Sequence, residues 1–212
     1  AEALLNAGDL GAALSTADAG LAAHPKSARL QLQRARALMA QARAAAGVGA
    51  TKEVAQSYAS AEKALRTAMD LAPKTAAPCL RFGELKITLW SEAGGTDAQL
   101  RQEAVSLWSE AVRREPAGVD LAHTYAWLQG DAVEPLTLLL ERDAKNLDAV
   151  WYRGLAYWAR NPVDWPGLRD DLQRVLESNP AFVDANFYLG DGAMRRGEWL
   201  LAQGQPDEAD KA

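Results

Sequence analysis

The chain has 212 residues, of which 49% are hydrophobic and 24% charged, a composition that is normal for a folded protein and argues against disorder. Its formal net charge is −5 and it contains no run rich in Lys and Arg, which argues against nucleic-acid binding. No uncharged apolar stretch approaches the roughly 18 residues that a membrane span requires, and the single cysteine, Cys79, excludes an intrachain disulfide.

The residue mixture predicts an all-α fold. Alanine supplies much of the hydrophobic share, and alanine is the strongest helix former in host–guest measurements. Arg, Gln, Glu and Leu, which also favour helices, fill many of the other positions, whereas runs of β-branched residues are nearly absent. We therefore expect helices throughout and no β-sheet.

Apolar residues at steps of three and four, interrupted by Gly and Pro, predict helices along the whole chain. Residues 1–7 resemble the end of a helix, which breaks at Gly8-Asp9, and the next helix continues to about residue 23. Further helices are predicted at about 27–46, 52–72, 75–93, 98–115, 119–128, 133–144, 147–160 and 168–178, then from Pro180 onward, with another starting after Gly204.

Local signals mark where these helices begin and end. Prolines at positions 25, 73, 116 and 180 are predicted stops, because proline lacks an N–H and clashes with the preceding helical turn. Ser27, Asp97 and Asp164 are predicted N-caps. The segment 161–167 contains two prolines and is predicted to be a loop.

The helix before each stop repeats one spacing of small and large residues. Small residues let two helices approach closely, and the large residue between them fills the groove between ridges. Such a unit cannot bury its apolar face alone, so copies are expected to stack on one another. The triplets are Ala13/Ala17/Gly20, Ala61/Leu65/Ala68, Ala104/Trp108/Ala111 and Leu168/Leu172/Val175, and the partner helices carry Phe82-Gly83, Gly154 and Leu189-Gly190.

These motifs resemble the tetratricopeptide repeat (TPR) family over most of the chain. The family's units of about 34 residues are helix pairs with Leu-Gly and an aromatic residue on the first helix and Ala-x3-large-x2-Ala on the second. The resemblance implies a right-handed superhelix (solenoid) of antiparallel helix pairs. Several units exceed the family's period, so the repeats are divergent and irregular.

The resemblance further implies a single repeat domain over 1–212. Its approximate units are 1–25, 26–73, 74–116, 117–146, 147–180 and 181–212, with the first and last incomplete. Asn146 stands where a proline would end the fourth unit. A globular helical domain without repeats is the alternative.

The sequence gives little support for catalysis. No Cys, second His or acidic residue stands at metal-ligand spacing around His24 or His123. Cys79 and His123 are candidates for a nucleophile and its base. However, one Cys and two His in a helical array come together easily by chance, so this pair is not favoured. The segment 47–52 lacks the spacer and the preceding strand of a phosphate-binding loop, so it is predicted to connect two helices. We expect no enzyme activity, no cofactor and no metal.

In the TPR family the first helices of the pairs line a concave face that usually takes the ligand. Transferring those family positions to this chain gives a candidate partner-binding groove that becomes aromatic toward its C-terminal half. Aromatic and Met side chains give large contact areas at low cost in ordering. The groove residues are Arg36, Met39, Glu84, Ile87, His123, Trp127, Trp151, Leu155, Trp158, Phe187, Asp191 and Met194.

Simpler structural roles compete with binding at several of these positions. Tyr152 and Tyr157 are expected in the core, whereas the sequence leaves core and groove equally open for Trp127, Trp151 and Trp158. Three carboxylates fall in first helical turns, where the helix dipole favours them whatever the function. They are Asp120, Asp148 and Asp184. Asp191 and Arg195 stand four residues apart and can pair with each other.

The sequence therefore favours a non-catalytic scaffold that binds a protein or peptide segment with apolar anchors and basic groups. One alternative is a binder of a small apolar ligand enclosed by the superhelix, as in a periplasmic or transport-associated TPR protein. Another is a self-assembling adaptor, because incomplete terminal repeats can expose apolar faces. We expect a soluble protein without nucleic-acid partners, in the cytoplasm or the periplasm.

Overall fold

The computed structural model describes Leu4 and residues 8–209, apart from the side chain of Asp207. Over these residues the protein is all-helical and has no strand, as predicted. The chain divides into two compact units, Ala1–Gly118 and Val119–Ala212. The single repeat domain over 1–212 stays a prediction, and the helix end expected at 1–7 lies outside the described residues except for Leu4.

Five helices and one short 3-10 turn form the described part of the first unit. Short connections at residues 24–27, 48–50, 72–76 and 93–97 join helices that pack along one another, so neighbours run in opposite directions. The elements are α1 (Leu10–Ala23), α2 (Ala28–Gly47), α3 (Thr51–Leu71), α4 (Ala77–Glu92), α5 (Ala98–Arg114) and the 3-10 turn Pro116–Gly118.

The helices of the first unit pack most extensively in the predicted pairs, α2 with α3 and α4 with α5. Side chains from α2, α3 and α4 form one buried cluster, and Leu14 of α1 and Leu107 of α5 pack against its edge. The cluster contains Ala35, Leu38, Met39, Ala42, Tyr58, Ala61, Ala64, Leu65, Phe82 and Leu85.

Helices also make up the second unit, but the predicted fourth pair departs from the pattern. The two helices of that pair are short and pack mainly on the following helix instead of on each other. The elements are α6 (Leu121–Leu128), the 3-10 turn Gln129–Ala132, α7 (Val133–Arg142), α8 (Leu147–Trp158), α9 (Trp165–Ser178), α10 (Val183–Ala202) and α11 (Pro206–Ala209). α8 packs on α9, and α9 packs on α10.

A buried ion pair fastens α8 to α9. The guanidinium of Arg153 donates two hydrogen bonds to the carboxylate of Asp171, each 2.7 Å long, and a third to the hydroxyl of Thr137 on α7 at 3.3 Å. Asp171 is buried, so the bidentate geometry is what makes its charge tolerable there.

The predicted helix starts are confirmed where a side chain caps the helix. Ser27 Oγ accepts a hydrogen bond from the backbone N–H of Leu30 at 3.3 Å, and Asp97 Oδ1 accepts from Gln99 at 3.0 Å. Asp120 caps α6 in the same way, and Asp148 and Asp184 lie in first turns as expected. Asn146 turns out to be the N-cap of α8, which the sequence analysis missed.

The predicted loop at 161–167 is too long. Asp164 caps the helix as expected, but α9 already begins at Trp165 and not at Leu168. Pro166 is tolerated in the first helical turn, because backbone N–H groups at that place have no acceptor within the helix and none is lost with proline. The predicted end of α8 at residue 160 is also wrong by two residues, since the helix ends at Trp158.

The small-large-small spacing corresponds to close helix contacts inside the pairs. A Cβ added to Gly83 of α4 would overlap the ring of Trp108, which is fully buried on α5. A Cβ at Gly154 of α8 would stand 2.7 Å from Leu172 Cδ2 on α9. A larger residue at Gly83 would therefore have to displace the buried Trp108 ring, and one at Gly154 would have to displace the Leu172 side chain.

We expect Ala17→Trp to destabilise the first unit by about 1–3 kcal/mol, because Ala17 is fully buried on α1 and the larger ring would overpack that contact. Chemical unfolding gives the change in free energy. Ala19→Trp is the matched control, because Ala19 lies exposed on the same helix. Equal stability of Ala17→Trp and the wild type would contradict the register of α1.

Candidate functional site

The four groove residues predicted in the first unit offer little apolar surface to a partner. Met39 and Ile87 are buried, and Arg36 is half-buried on α2. Glu84 is buried as well, and both of its carboxylate oxygens accept hydrogen bonds from Arg81, at 2.9 and 2.7 Å. Helical spacing identifies an apolar position but does not show whether a neighbouring helix covers it. Neighbouring helices cover Met39 and Ile87.

A buried lysine that the sequence analysis missed lies on α4. Lys86 Nζ stands 2.8 Å from Glu103 of α5 and 3.3 Å from Glu62 of α3, and it lies over the ring of Phe82. These carboxylates compensate its charge, which would otherwise be costly to bury. No local sequence motif predicts such a lysine, because its partners come from two other helices.

The pKa values of both carboxylates respond to this network. Burial raises the pKa of Glu62, but hydrogen bonds from Arg66 and Lys86 outweigh that effect and hold it below its usual value. The hydrogen bond from Lys86 is the main reason that the pKa of Glu103 is lowered. Both groups are therefore ionised at neutral pH, and the network stays intact there.

A cavity of about 430 Å³ adjoins this network between α3, α4 and α5. Six of the eight residues around it are polar or charged. The lining residues are Arg66, Phe82, Lys86, Gln99, Gln102, Glu103, Ser106 and Leu107.

Two predicted groove residues of the second unit, His123 and Trp127, stand together on α6. Their ring centroids are 5.9 Å apart with the planes tilted by 53°, and both side chains are half-buried. They lie one helical turn apart, so the contact follows from helix geometry alone.

Trp151 and Trp158 of α8 belong to an aromatic cluster, which we define as Trp151, Trp158, Phe182, Tyr188 and Phe187. The ring of Tyr188 on α10 contacts both tryptophans edge to face, with centroid distances of 5.7 Å and 4.9 Å. Phe182 contacts Trp151 at 4.8 Å. Trp151 and Trp158 are half-buried, so they support the α8–α10 contact and also present an edge to solvent.

A polar clamp fixes one end of this cluster. The indole Nε1 of Trp158 donates a hydrogen bond of 2.6 Å to Asp191 Oδ2. Arg195 stacks over the Trp158 ring and donates to the carbonyls of Trp158 and Arg160, at the C-terminal end of α8. Arg195 also stands 3.9 Å from Asp191, so the pairing expected from their spacing is present. Asp191 thus fastens α10 to α8.

Most of the exposed large apolar side chains in the described part of the second unit lie on α10. Phe187 and Met194, both predicted groove residues, are 63% and 57% exposed. Val183 and Leu201 are 74% and 58% exposed, and the sequence analysis did not single them out. We call these four residues the α10 stripe, because residues at steps of four and seven share one face of a helix. Leu155, in contrast, is buried.

The residues considered for catalysis do not assemble into a reactive centre. Cys79 is fully buried on α4, and burial raises the pKa of its thiol to about 11, which suppresses the nucleophilic thiolate. Among the residues that the structure describes, no group of three or more His, Cys, Asp or Glu side chains could hold a metal ion. No helix in that part of the chain is long and apolar enough to cross a membrane.

Comparison with protein-family models and curated sequences identifies no relative of this chain. No protein-family model matches the chain, and a search of curated protein sequences returns no match.

We expect Asp191→Ala to lower the free energy of unfolding by about 1–2 kcal/mol, because the variant loses the charged acceptor of the Trp158 indole. Urea unfolding followed by tryptophan fluorescence measures this change. Glu198→Ala removes an exposed carboxylate from the same helix and should stay within about 0.5 kcal/mol of the wild type. Equal effects of the two substitutions would contradict the clamp.

Proposed function

We propose that this protein is a non-catalytic interaction scaffold that binds a protein or peptide segment on its second unit. The observation that carries this proposal is the α10 stripe, four large apolar side chains exposed on one helix face. Single exposed apolar residues are ordinary on soluble proteins, but several on one helix face are typical of an interaction site.

The surroundings of the α10 stripe also favour binding. Phe187 contacts Tyr188 edge to face at 5.3 Å, so the stripe adjoins the half-buried aromatic cluster. The clamp of Asp191 and Arg195 holds α10 against α8 and thereby presents the stripe on a fixed surface. An apolar surface on a fixed helix binds with little loss of backbone entropy, as preorganised interfaces do.

The proposal includes a divergent TPR-like architecture, with the helix pairs arranged as a right-handed solenoid. It is supported by the close pairs α2/α3, α4/α5 and α8/α9 and by the glycine contacts at Gly83 and Gly154. In such an architecture α8 and α10 are the first helices of their pairs, which is where the family usually takes its ligands. The short helices α6 and α7 make the array irregular.

Self-association through the same surface is the second candidate, because an exposed apolar helix face can also be covered by another copy of the chain. The enclosed apolar ligand gains no support from the cavity beside Lys86, since that cavity is open to solvent.

We expect Phe187→Ala and Met194→Ala each to weaken partner binding by about tenfold or more, because each removes an exposed apolar anchor. A partner captured on the immobilised wild-type chain would be titrated calorimetrically against each variant. These positions test binding more cleanly than Trp151→Ala or Trp158→Ala, which would also disturb the α8–α10 contact.

Val48→Ala is the matched control for this titration. Val48 is 82% exposed in the turn between α2 and α3 of the first unit, so its loss should leave both stability and affinity unchanged. Wild-type affinity in both Phe187→Ala and Met194→Ala would rule out the α10 stripe as the binding site.

A further inference from the structure

The α10 stripe has the spacing of a coiled-coil seam. Phe187, Met194 and Leu201 follow one another at intervals of seven, and Val183, Gly190 and Gly197 form a second row offset by four residues. The alternation of steps of four and three is the pattern of heptad positions a and d. α10 is long enough to carry this pattern over its whole length from Val183 to Ala202.

Gly190, in the second row, leaves the seam shallow enough for close approach of another helix. A Cβ added to Gly190 would meet no atom within 4 Å, so the surface around it is open. Gly197 borders α11, whose Ala209 carbonyl oxygen stands 3.7 Å from the corresponding position. Small residues in one helix allow the side chains of a second helix to pack against its backbone.

A row of carboxylates runs along one side of the seam. Asp184, Asp191 and Glu198 each lie one residue after the second row, again at intervals of seven. Asp191 is engaged by Trp158 and Arg195. The exposed carboxylates of Asp184 and Glu198 make no hydrogen bond or ion pair with any residue that the structure describes, so they are open to cations of a partner.

This acidic row makes a second copy of the chain a poor occupant. If two α10 helices paired antiparallel through the seam, the rows of Asp184, Asp191 and Glu198 would face each other. Like charges along that shared edge disfavour an antiparallel pair of α10 helices, whereas the same row attracts a basic partner.

We propose that the α10 stripe docks an amphipathic α-helix of a partner protein, one that carries apolar residues at heptad spacing flanked by Lys or Arg. This inference rests on the proposed function and names the class of partner that the surface fits. The four side chains of the stripe supply the contact area, Gly190 allows close approach, and Asp184 and Glu198 select a basic helix.

Synthetic peptides of about three heptads, matching the length of α10, test this inference with the intact chain. The first peptide carries Leu at positions a and d and Lys at e and g, where mutual repulsion discourages self-pairing. The second replaces each Lys with Glu. The third keeps the composition of the first but contains two central prolines, which prevent a continuous helix.

Fluorescence anisotropy should show the Lys helix binding about tenfold or more tightly than the Glu helix, with weaker binding as salt rises. The double variant Asp184→Lys/Glu198→Lys should reverse this preference. The matched control is Asp170→Lys/Glu177→Lys, which changes the net charge equally at exposed positions seven residues apart on α9 and should keep the preference for Lys.

Several results would overturn the inference. If the proline-containing peptide bound as tightly as the Lys helix, the occupant would be an extended segment and not a helix. The proposed protein-binding function would still stand, since its test depends on Phe187 and Met194. Failure of all three peptides to bind, or a preference that the Asp184 and Glu198 reversal leaves unchanged, would contradict the helical basic partner. A dimer that light scattering detects in the wild type and that Phe187→Glu abolishes would assign the stripe to self-association instead.

Discussion

The close approach of paired helices at glycine is the constraint on which much of this structure depends. Gly83 lies directly under the ring of Trp108, and Gly154 lies against Leu172. In each case the glycine is on the first helix of a pair and the large residue is on the second. Because the large side chain has no room beside a Cβ, the contact fixes which faces of the two helices meet. On the other side of α4, apolar residues of α2, α3 and α4 form the buried cluster of the first unit.

The same motif has a different environment on α10, and this difference bears on function. Leu189-Gly190 corresponds to Phe82-Gly83 in the sequence, but no described side chain approaches Gly190. On the adjoining face stand Val183, Phe187, Met194 and Leu201, all exposed. A position that is a packing contact in the first unit is thus part of an open surface in the second. The proposed binding site rests on these four exposed side chains, which share one face of α10.

The sequence predicted the helices better than it predicted the roles of their side chains. Caps such as Ser27, Asp97 and Asp164 are local signals, and they locate helix starts because a side chain bonds to the backbone two or three residues away. The exposure of Met39, Ile87 and Leu155 depends on which neighbouring helix covers them, and periodicity cannot tell a covered face from an open one. The role of Trp158 depends on Asp191 of α10, and that of Lys86 depends on carboxylates of α3 and α5. Neither role can be predicted from the neighbouring residues in the sequence. The α10 stripe could have been found from the heptad spacing of Phe187, Met194 and Leu201, a signal that the TPR resemblance obscured.

One pair of substitutions tests the central claim most directly, namely that Gly83 is a closed helix contact and Gly190 an open surface. Gly83→Ala and Gly190→Ala are the same chemical change at matching positions of the motif, and each gains up to about 1 kcal/mol in helix propensity. Their free energies of unfolding, measured by urea denaturation, should change in opposite directions. Gly83→Ala should destabilise the protein, because overpacking against Trp108 costs about 1–3 kcal/mol, whereas Gly190→Ala should stabilise it. Stabilisation by both substitutions, or destabilisation by both, would contradict the account.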